Sequence, residues 1–170
     1  MLQSNTRNYE RGYGDDLHRR SLYTYWKRAC PPPSLLAFDA PTREYCNVRR
    51  LATNTPLQAL VLWNDPQFVE AARMLAVRVL QGLSNADDQA RLDLLFQLAT
   101  ASPVPEAVGS TVLQTLQAFR MRYAQDPEAA RSLLSVGDVD PPEGIEVSEL
   151  AAWAMIANAV LSSDSAIVKD

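Results

Sequence analysis

The middle of this chain is divided by polar residues that are each followed directly by proline. Thr55-Pro56, Asp65-Pro66 and Asp126-Pro127 repeat one arrangement. At a helix start the polar side chain can accept a hydrogen bond from an unpaired amide, and proline fits the first helical position because its missing N–H is not needed there. Each pair therefore predicts the N-terminus of an α-helix.

Apolar residues recur at helical spacing after each of these pairs, and no segment shows the strict alternation of a strand. We expect an all-α fold, an irregular helical bundle of about five to six helices with an extended, loop-rich N-terminal third. The predicted helices begin at Pro56, at Pro66, near Asp88, near Glu106, at Pro127 and after a Ser148 cap.

The pattern also predicts which side chains are buried. The helix from Pro56 is apolar on nearly all sides, which favours a central, buried position. The helix from Pro66 carries one apolar stripe and stops near Gly82, and its charged Glu70 and Arg73 are expected to face away from the core.

The N-terminal third has no sustained period. One of the aspartates in "DDLHRRSLYTYWKRA" is expected to open a modest helix that ends at the prolines of "CPPPS". Residues 34–50 predict a long ordered loop with one short helical turn. We therefore divide the chain into an irregular basic and aromatic arm with a proline-rich loop, residues 1–50, and a helical domain, residues 51–170, within one folded unit overall.

Charge is spread unevenly over the chain, whose net charge is −4. Residues 1–50 hold nine Arg and Lys against five Asp and Glu, a net +4, and residues 51–170 hold seven against fifteen, a net −8. Either the basic segment folds back onto its own acidic half, or it meets an acidic partner. The interleaved aromatic residues favour the first alternative, because aromatic rings gain from burial.

The sequence says little about redox state or location. A disulfide between Cys30 and Cys46 and two free thiols are both open. No apolar run approaches the length of a membrane span, and the N-terminus lacks the apolar core of a secretory signal. The chain as given is therefore expected to be cytoplasmic, or to be a piece of something longer.

Few residues suit catalysis or metal binding. His18 is the only histidine, and the adjacent Arg19 and Arg20 disfavour its protonation. There is no phosphate-binding glycine loop and no haem-attachment motif, and adjacent carboxylates such as Asp87 and Asp88 are expected to be solvated caps. We assign no catalytic residue, no metal site and no cofactor, and we favour a noncatalytic role while the enzyme question stays open.

The segment "RRSLYTYWKR", residues 19–28, interleaves arginine with aromatic rings. Arginine beside exposed rings can bind nucleic acid or a sugar ring, but the acidic total argues against nucleic acid. The alternative is that these rings dock on a parent domain. The candidate binding or anchoring residues are Arg19, Arg20, Tyr23, Trp26, Arg43, Arg49, Arg50, Asn54 and Asn64.

Two long stretches resemble a known family. The run "RRSLYTYWKRACPPPSLLAFDAPTREYCNVRRLATNTPLQALVLWNDPQFVEAARMLAVRVL" and the ending "ELAAWAMIANAVLSSDSAIVKD" resemble a planctomycete-type C-terminal domain of unknown function, over roughly Asp16 to Asp170. The family is found in large secreted proteins with cytochrome-c-like modules. The turns "ATASPVP" and "LSSDS" depart from its usual pattern, so the chain is similar to a divergent, partial member. The resemblance implies an extracytoplasmic location and missing upstream domains.

These observations give three functional hypotheses. The first is a noncatalytic helical packing or scaffold module of a larger extracytoplasmic multidomain protein, which contacts upstream domains or a second copy of itself. The second is a binding module for acidic or sulfated polysaccharide. The third is part of an oxidoreductase-like or polysaccharide-degrading assembly whose catalytic groups lie in the upstream domains.

Overall fold

The computed structural model describes residues 9–27, 29–49 and 53–167, without the side chain of His18. The chain divides into two compact units, Met1–Val61 and Leu62–Asp170. The division into an arm of residues 1–50 and a helical domain of residues 51–170 stays a prediction.

The N-terminal unit is mostly irregular in its described part. Two short 3-10 helices, Gly14–His18 and Ser21–Tyr23, occupy the segment for which we predicted an α-helix, so that prediction was wrong. The ladder of helical hydrogen bonds stops because Arg19 has extended backbone, with φ −79° and ψ 149°. Helix α1, Pro33–Ala37, confirms the single helical turn predicted in the following loop.

Helix α2, Pro56–Asn64, begins where Thr55-Pro56 predicted a start. The Thr55 hydroxyl accepts from Gln58 N at 3.4 Å, and the Gln58 side-chain oxygen accepts from Thr55 N at 3.0 Å. This reciprocal pair is a capping box, which satisfies two amides that the first helical turn leaves without a partner.

The prediction that α2 has a central, buried position was wrong. Gln58 and Leu62 are buried, whereas Leu57, Leu60 and Trp63 are exposed by 58%, 59% and 37%. At 100° per residue the three exposed side chains share one face, which we call the α2 face, opposite the buried pair. Apolarity on every side does not determine which side packs, so the sequence pattern could not assign this face.

The C-terminal unit is a bundle, and the all-α prediction is confirmed. Six α-helices of eight or more residues, and no strand, are found in the described part of the chain. The helices of this unit are α3 (Pro66–Gly82), α4 (Asp88–Thr100), α5 (Glu106–Gln125), α6 (Pro127–Leu134), α7 (Val147–Leu161) and α8 (Asp164–Ile167).

The polar residues at the helix starts act largely as predicted. Asp65 accepts from Gln67 N at 2.9 Å, and Asp126 accepts from Ala129 N at 3.0 Å.

The predicted cap of α7 at Ser148 was wrong, because the cap is Glu146. Its carboxylate accepts from Ser148 N at 3.1 Å and from Glu149 N at 2.8 Å, so the helix begins earlier. The Ser148 hydroxyl also donates to this carboxylate. This hydrogen bond above all, together with the two from the amides, lowers the pKa of Glu146.

Helix α7 is the central element of the C-terminal unit. It packs against α3 and α5 most extensively, and also against α6, α4 and α8. Trp153 is fully buried, and Leu150, Ala157 and Val160 are buried as well. The remaining sides carry further buried alanines, whose small side chains let neighbouring helices approach closely.

Glu70 and Arg73 of α3 are buried, so the prediction that they face away from the core was wrong. Arg73 donates from Nη1 to Leu134 O at 2.6 Å and from Nη2 to Val139 O, and Glu70 Oε2 accepts from Asp138 N at 2.5 Å. Leu134, the last residue of α6, supplies one of these backbone partners, and the α6–α7 connection, residues 135–146, supplies the other two. Burial of a charged group requires such partners, and no local pattern in α3 shows that they will be there.

Gly137 allows the α6–α7 connection to approach Glu70. It has a φ of +108°, a conformation that L side chains rarely adopt. A Cβ at this position would overlap Glu70 Oε2 and lie 2.8 Å from Glu70 Cβ. The close approach therefore needs a residue without a side chain.

We predict that Gly137→Ala destabilises the protein strongly. The new methyl group meets both the strained φ and the Glu70 side chain, and we expect a loss of about 3–4 kcal/mol in the free energy of unfolding, measured by urea denaturation. Gly144→Ala is the matched control, because Gly144 has a φ of +92° but nothing within 4 Å of a Cβ. Its expected loss is about 1–2 kcal/mol, from backbone strain alone. Equal losses for the two variants would contradict the role of the Glu70 contact.

Candidate functional site

The predicted binding residues that lie closest together form a basic–aromatic surface, which we define as Arg19, Arg20, Tyr23, Trp26 and Arg43. The guanidinium carbon of Arg20 lies 5.5 Å from the ring centroid of Tyr23, and its Nη2 donates to the Tyr23 hydroxyl at 3.4 Å. The 3-10 turn explains this contact, because side chains at i and i+3 eclipse one another in such a turn.

Arg43 brings a distant part of the chain to the same surface. Its guanidinium carbon lies 5.0 Å from the ring centroid of Trp26, and its Nη2 donates to Ser21 O at 3.5 Å. Arg43 also has a φ of 63°, which is uncommon for a residue other than glycine. Such strained positions cluster at functional sites in proteins, so Arg43 is the residue of this surface that most needs an explanation.

The rings and guanidinium groups of this surface are open to solvent. Tyr23 is exposed by 61%, and Trp26 is half-buried. The neighbouring Tyr25, exposed by 81%, adds a further ring. Arg19 pairs with Asp16 at 2.9 Å, and both side chains are more than half exposed, so solvent screens this pair. An arginine that lies on a ring face still presents N–H groups along its edge.

The other predicted residues lie elsewhere. Arg49 is exposed in a bend, Asn54 is exposed just before α2, and Asn64 is exposed at the last position of α2. Arg50 lies outside the described residues. Direct contacts thus join Arg20 with Tyr23 and Arg43 with Trp26, and the role of the full set of nine stays a prediction.

The sequence analysis missed an ionic cluster in the C-terminal unit, formed by Arg120 of α5, Asp88 of α4 and Glu149 of α7. Arg120 donates from Nη1 and Nη2 to the two oxygens of Asp88 at 2.5 and 2.8 Å. It also donates from Nε and Nη2 to the two oxygens of Glu149 at 2.6 and 2.5 Å. Two bidentate pairs therefore connect three helices through one guanidinium group.

Two further side chains complete this ionic cluster. Trp153 donates from its indole N–H to Glu149 at 2.9 Å, and Arg91 Nη1 lies 3.8 Å from carboxylate oxygens of both Asp88 and Glu149. Hydrogen bonds to the two carboxylates raise the pKa of Arg120, and the hydrogen bond from Arg120 lowers the pKa of Asp88. The lowered pKa keeps Asp88 ionised as an acceptor, so the cluster is suited to joining helices rather than to moving protons.

Within the described residues, no group of three or more His, Cys, Asp or Glu side chains is arranged to hold a metal ion. Neither Cys30 nor Cys46 forms a disulfide bond. None of the described helices combines the length and the apolar character that a membrane crossing requires.

A comparison with protein families gives a match. The family described as PSD1, protein of unknown function (DUF1553), matches residues 1–116, more than half of the 170-residue chain. The chain belongs to this family. The predicted membership of a domain family of unknown function is thereby confirmed. A search of curated proteins and a search of solved structures found no match.

The DUF1553 match covers some of the features described above and not others. It includes the basic–aromatic surface, α2, α3 and α4, and it ends within α5. The resemblance was expected to span Asp16 to the C-terminus, whereas the matched segment begins at residue 1 and ends at residue 116. Asp88 lies inside the matched segment, and Arg120 and Glu149 lie beyond it.

Local sequence spacing indicates parts of the capping box and of the ionic cluster, which the sequence analysis missed. Thr55 and Gln58 have the spacing of a capping box, and Asp88 and Arg91 have the i, i+3 spacing of a helical ion pair. Arg120 has no such signal, because its two carboxylate partners are 32 and 29 residues away in the sequence.

We predict that Asp88→Asn lowers stability in a pH-dependent way. The pKa of Asp88 is lowered in the folded state, so its contribution is present above the unfolded pKa of about 3.9 and is lost as pH falls through the folded pKa. We expect the variant to lose about 1–2 kcal/mol in the free energy of unfolding near pH 7. The difference from wild type should shrink as the pH approaches about 3.

Asp87→Asn is the control for this measurement. Asp87 accepts from Ala90 N at 2.8 Å as the cap of α4, and asparagine caps a helix about as well as aspartate. Urea denaturation at several pH values measures both variants. A pH-independent loss for Asp88→Asn would show that the ionic cluster does not depend on the Asp88 charge.

Proposed function

We propose that this chain is a noncatalytic packing module of a larger protein, and that the α2 face docks on a neighbouring domain of that protein. The observation that carries the proposal is the exposure of Leu57, Leu60 and Trp63 on one side of a single helix. Single exposed apolar residues are ordinary, but a contiguous apolar face on a short helix is typical of a contact surface.

The polar start of α2 supports this role, because it holds the helix in one place. Asp39 Oδ2 accepts from Thr53 N at 2.9 Å, from the Thr53 hydroxyl at 2.6 Å and from Gln58 Nε2 at 3.4 Å. Gln58 is itself buried and also closes the capping box with Thr55. A helix fixed in this way presents its apolar face with little conformational entropy left to lose on docking.

The charged residues with perturbed pKa values support a noncatalytic role. Arg73, whose pKa is lowered by burial, donates to two backbone carbonyls of the C-terminal unit. Arg120 donates to both carboxylate oxygens of Asp88. Perturbed titratable groups mark active sites when they lie in a cleft, whereas these groups join helices and a connection.

The wider setting of this proposal rests on the resemblance to planctomycete-type secreted proteins. In that setting the chain is an extracytoplasmic module, and the docking partner is an upstream domain, such as a cytochrome-c-like one. If catalysis occurs in such an assembly, whether oxidation or polysaccharide breakdown, its reactive groups belong to the upstream domains. Adding an upstream domain and assaying the reconstituted complex distinguishes this third hypothesis from a purely structural module.

We predict that Leu57→Ser combined with Leu60→Ser weakens docking without unfolding the protein. The partner is the domain encoded directly upstream in the parent gene, produced separately, and calorimetric titration measures its affinity. Loss of two partly exposed leucines from an interface should weaken binding by about 10- to 100-fold. The free energy of unfolding should change by less than about 0.5 kcal/mol per substitution, because both side chains are exposed.

Met121→Ser provides a control of similar exposure on a different element. Met121 is exposed by 62% on α5, so its substitution should leave docking unchanged. Sedimentation of the chain alone tests whether a second copy of the chain, instead of an upstream domain, occupies the α2 face. A dimer that the double leucine substitution dissociates would assign the face to a second copy and would contradict docking on an upstream domain.

A further inference from the structure

We propose that the basic–aromatic surface binds an anionic sugar, namely an oligosaccharide whose sulfate or carboxylate groups lie on Arg20 and Arg43 and whose rings pack on neighbouring aromatic side chains. This site uses residues other than the α2 face, so it goes beyond the packing role and does not depend on it.

The arginines are already oriented for an oxyanion. Arg43 lies over Trp26 and donates one hydrogen bond to Ser21 O, and Arg20 lies over Tyr23. An arginine that rests on a ring loses little further side-chain entropy when an anion binds. Its remaining N–H groups form the planar fork that matches the two oxygens of a sulfate or a carboxylate.

Aromatic rings beside these arginines supply the second half of the recognition. Tyr23 and Tyr25 are exposed by 61% and 81%, and Trp26 is half-buried. A sugar ring has an apolar face of C–H groups and a polar edge, so it can pack on an exposed aromatic ring while its charged substituent meets an arginine. Neither feature alone is specific, but this ligand class requires both together, and here Arg20 lies beside Tyr23 and Arg43 beside Trp26.

The charge balance favours a short anionic sugar over a polynucleotide. The basic segment has a net charge of +4, and the whole chain has a net charge of −4. A nucleic-acid interface normally needs a basic stripe that follows many phosphates, in a domain of high isoelectric point, and the isoelectric point of this chain is about 5.0. A few ionic contacts on aromatic rings suffice for an oligosaccharide.

The backbone of Arg43 gives an independent reason to treat it as a binding residue. A φ of 63° costs free energy for any residue with a side chain, yet arginine occupies this position. The cost is offset in part by the contacts with Trp26 and Ser21, which hold the guanidinium group in one orientation. Preorganisation of this kind is how strained residues contribute to binding sites.

The test is calorimetric titration of the full chain with four probes of equal length: a sulfated hexasaccharide, a uronate hexasaccharide, a neutral hexasaccharide and a single-stranded hexanucleotide. We expect binding of one or both anionic sugars, with sulfate or carboxylate identified as the anion by whichever binds more tightly. Raising the salt from about 50 to about 200 mM should weaken that binding by about 10- to 40-fold, as for about two to three ionic contacts.

Arg43→Gln and Arg20→Gln should each weaken the binding of the anionic sugar by about tenfold or more. Arg43→Lys keeps the charge but removes the stacked planar fork, so we expect an intermediate loss. Arg78→Gln is the matched control, because Arg78 is exposed on α3 and its loss changes the net charge by the same amount. Circular dichroism verifies that each variant is folded.

Several results would overturn the proposal. These are equal affinity for the neutral hexasaccharide, tighter binding of the hexanucleotide than of either anionic sugar, no binding of either anionic sugar at the lower salt concentration, and an equal loss for Arg78→Gln. The Leu57 and Leu60 double variant should bind the anionic sugar like wild type. A result that overturns sugar binding therefore does not overturn docking by the α2 face, and a result that overturns docking does not overturn sugar binding.

Discussion

Burial of α7 on nearly every side is the constraint that the C-terminal unit depends on. A helix surrounded in this way must carry apolar or small residues around most of its circumference, and Trp153 is the largest of the side chains it buries completely. Close approach also brings polar groups of the neighbouring helices out of water, where each needs a partner. The ionic cluster of Arg120, Asp88 and Glu149 meets this need where α4, α5 and α7 come together.

Arg120 and Arg73 both find hydrogen-bond partners within this unit, but the charges of those partners differ. Arg120 lies between two carboxylates, which stabilise its charge and raise its pKa. Arg73 donates to two neutral carbonyls, so the cost of burial dominates and lowers its pKa, although Glu70 and Asp140 oppose the change. Arg73 therefore holds the end of α6 and the α6–α7 connection against α3 through its two carbonyl acceptors.

The helix starts could be predicted from the sequence because their physics is local. The side chains of Asp65 and Asp126 cap their helices by accepting from amides two and three residues away. This separation is short enough for a local sequence pattern to indicate it. The burial of Arg73 could not be predicted, because its carbonyl partners are 61 and 66 residues away and exist only once α6 and α7 have packed. The same distinction holds in the candidate site. The contact of Arg20 with Tyr23 follows from a single turn and is local, whereas the contact of Arg43 with Trp26 needs the loop between them and is not.

Within the N-terminal unit, residues 39–43 connect the start of α2 with the basic–aromatic surface. Both ends of this segment have left-handed backbone, with φ 56° at Asp39 and φ 63° at Arg43. The Asp39 side chain reaches Thr53 and Gln58 at the start of α2, and the Arg43 side chain reaches Trp26 and Ser21. Two non-glycine residues at positive φ cost about 1–2 kcal/mol each, and the side-chain contacts at each end offset that cost. Each end of the segment therefore has a side-chain contact that keeps it in place, one with the start of α2 and the other with the basic–aromatic surface.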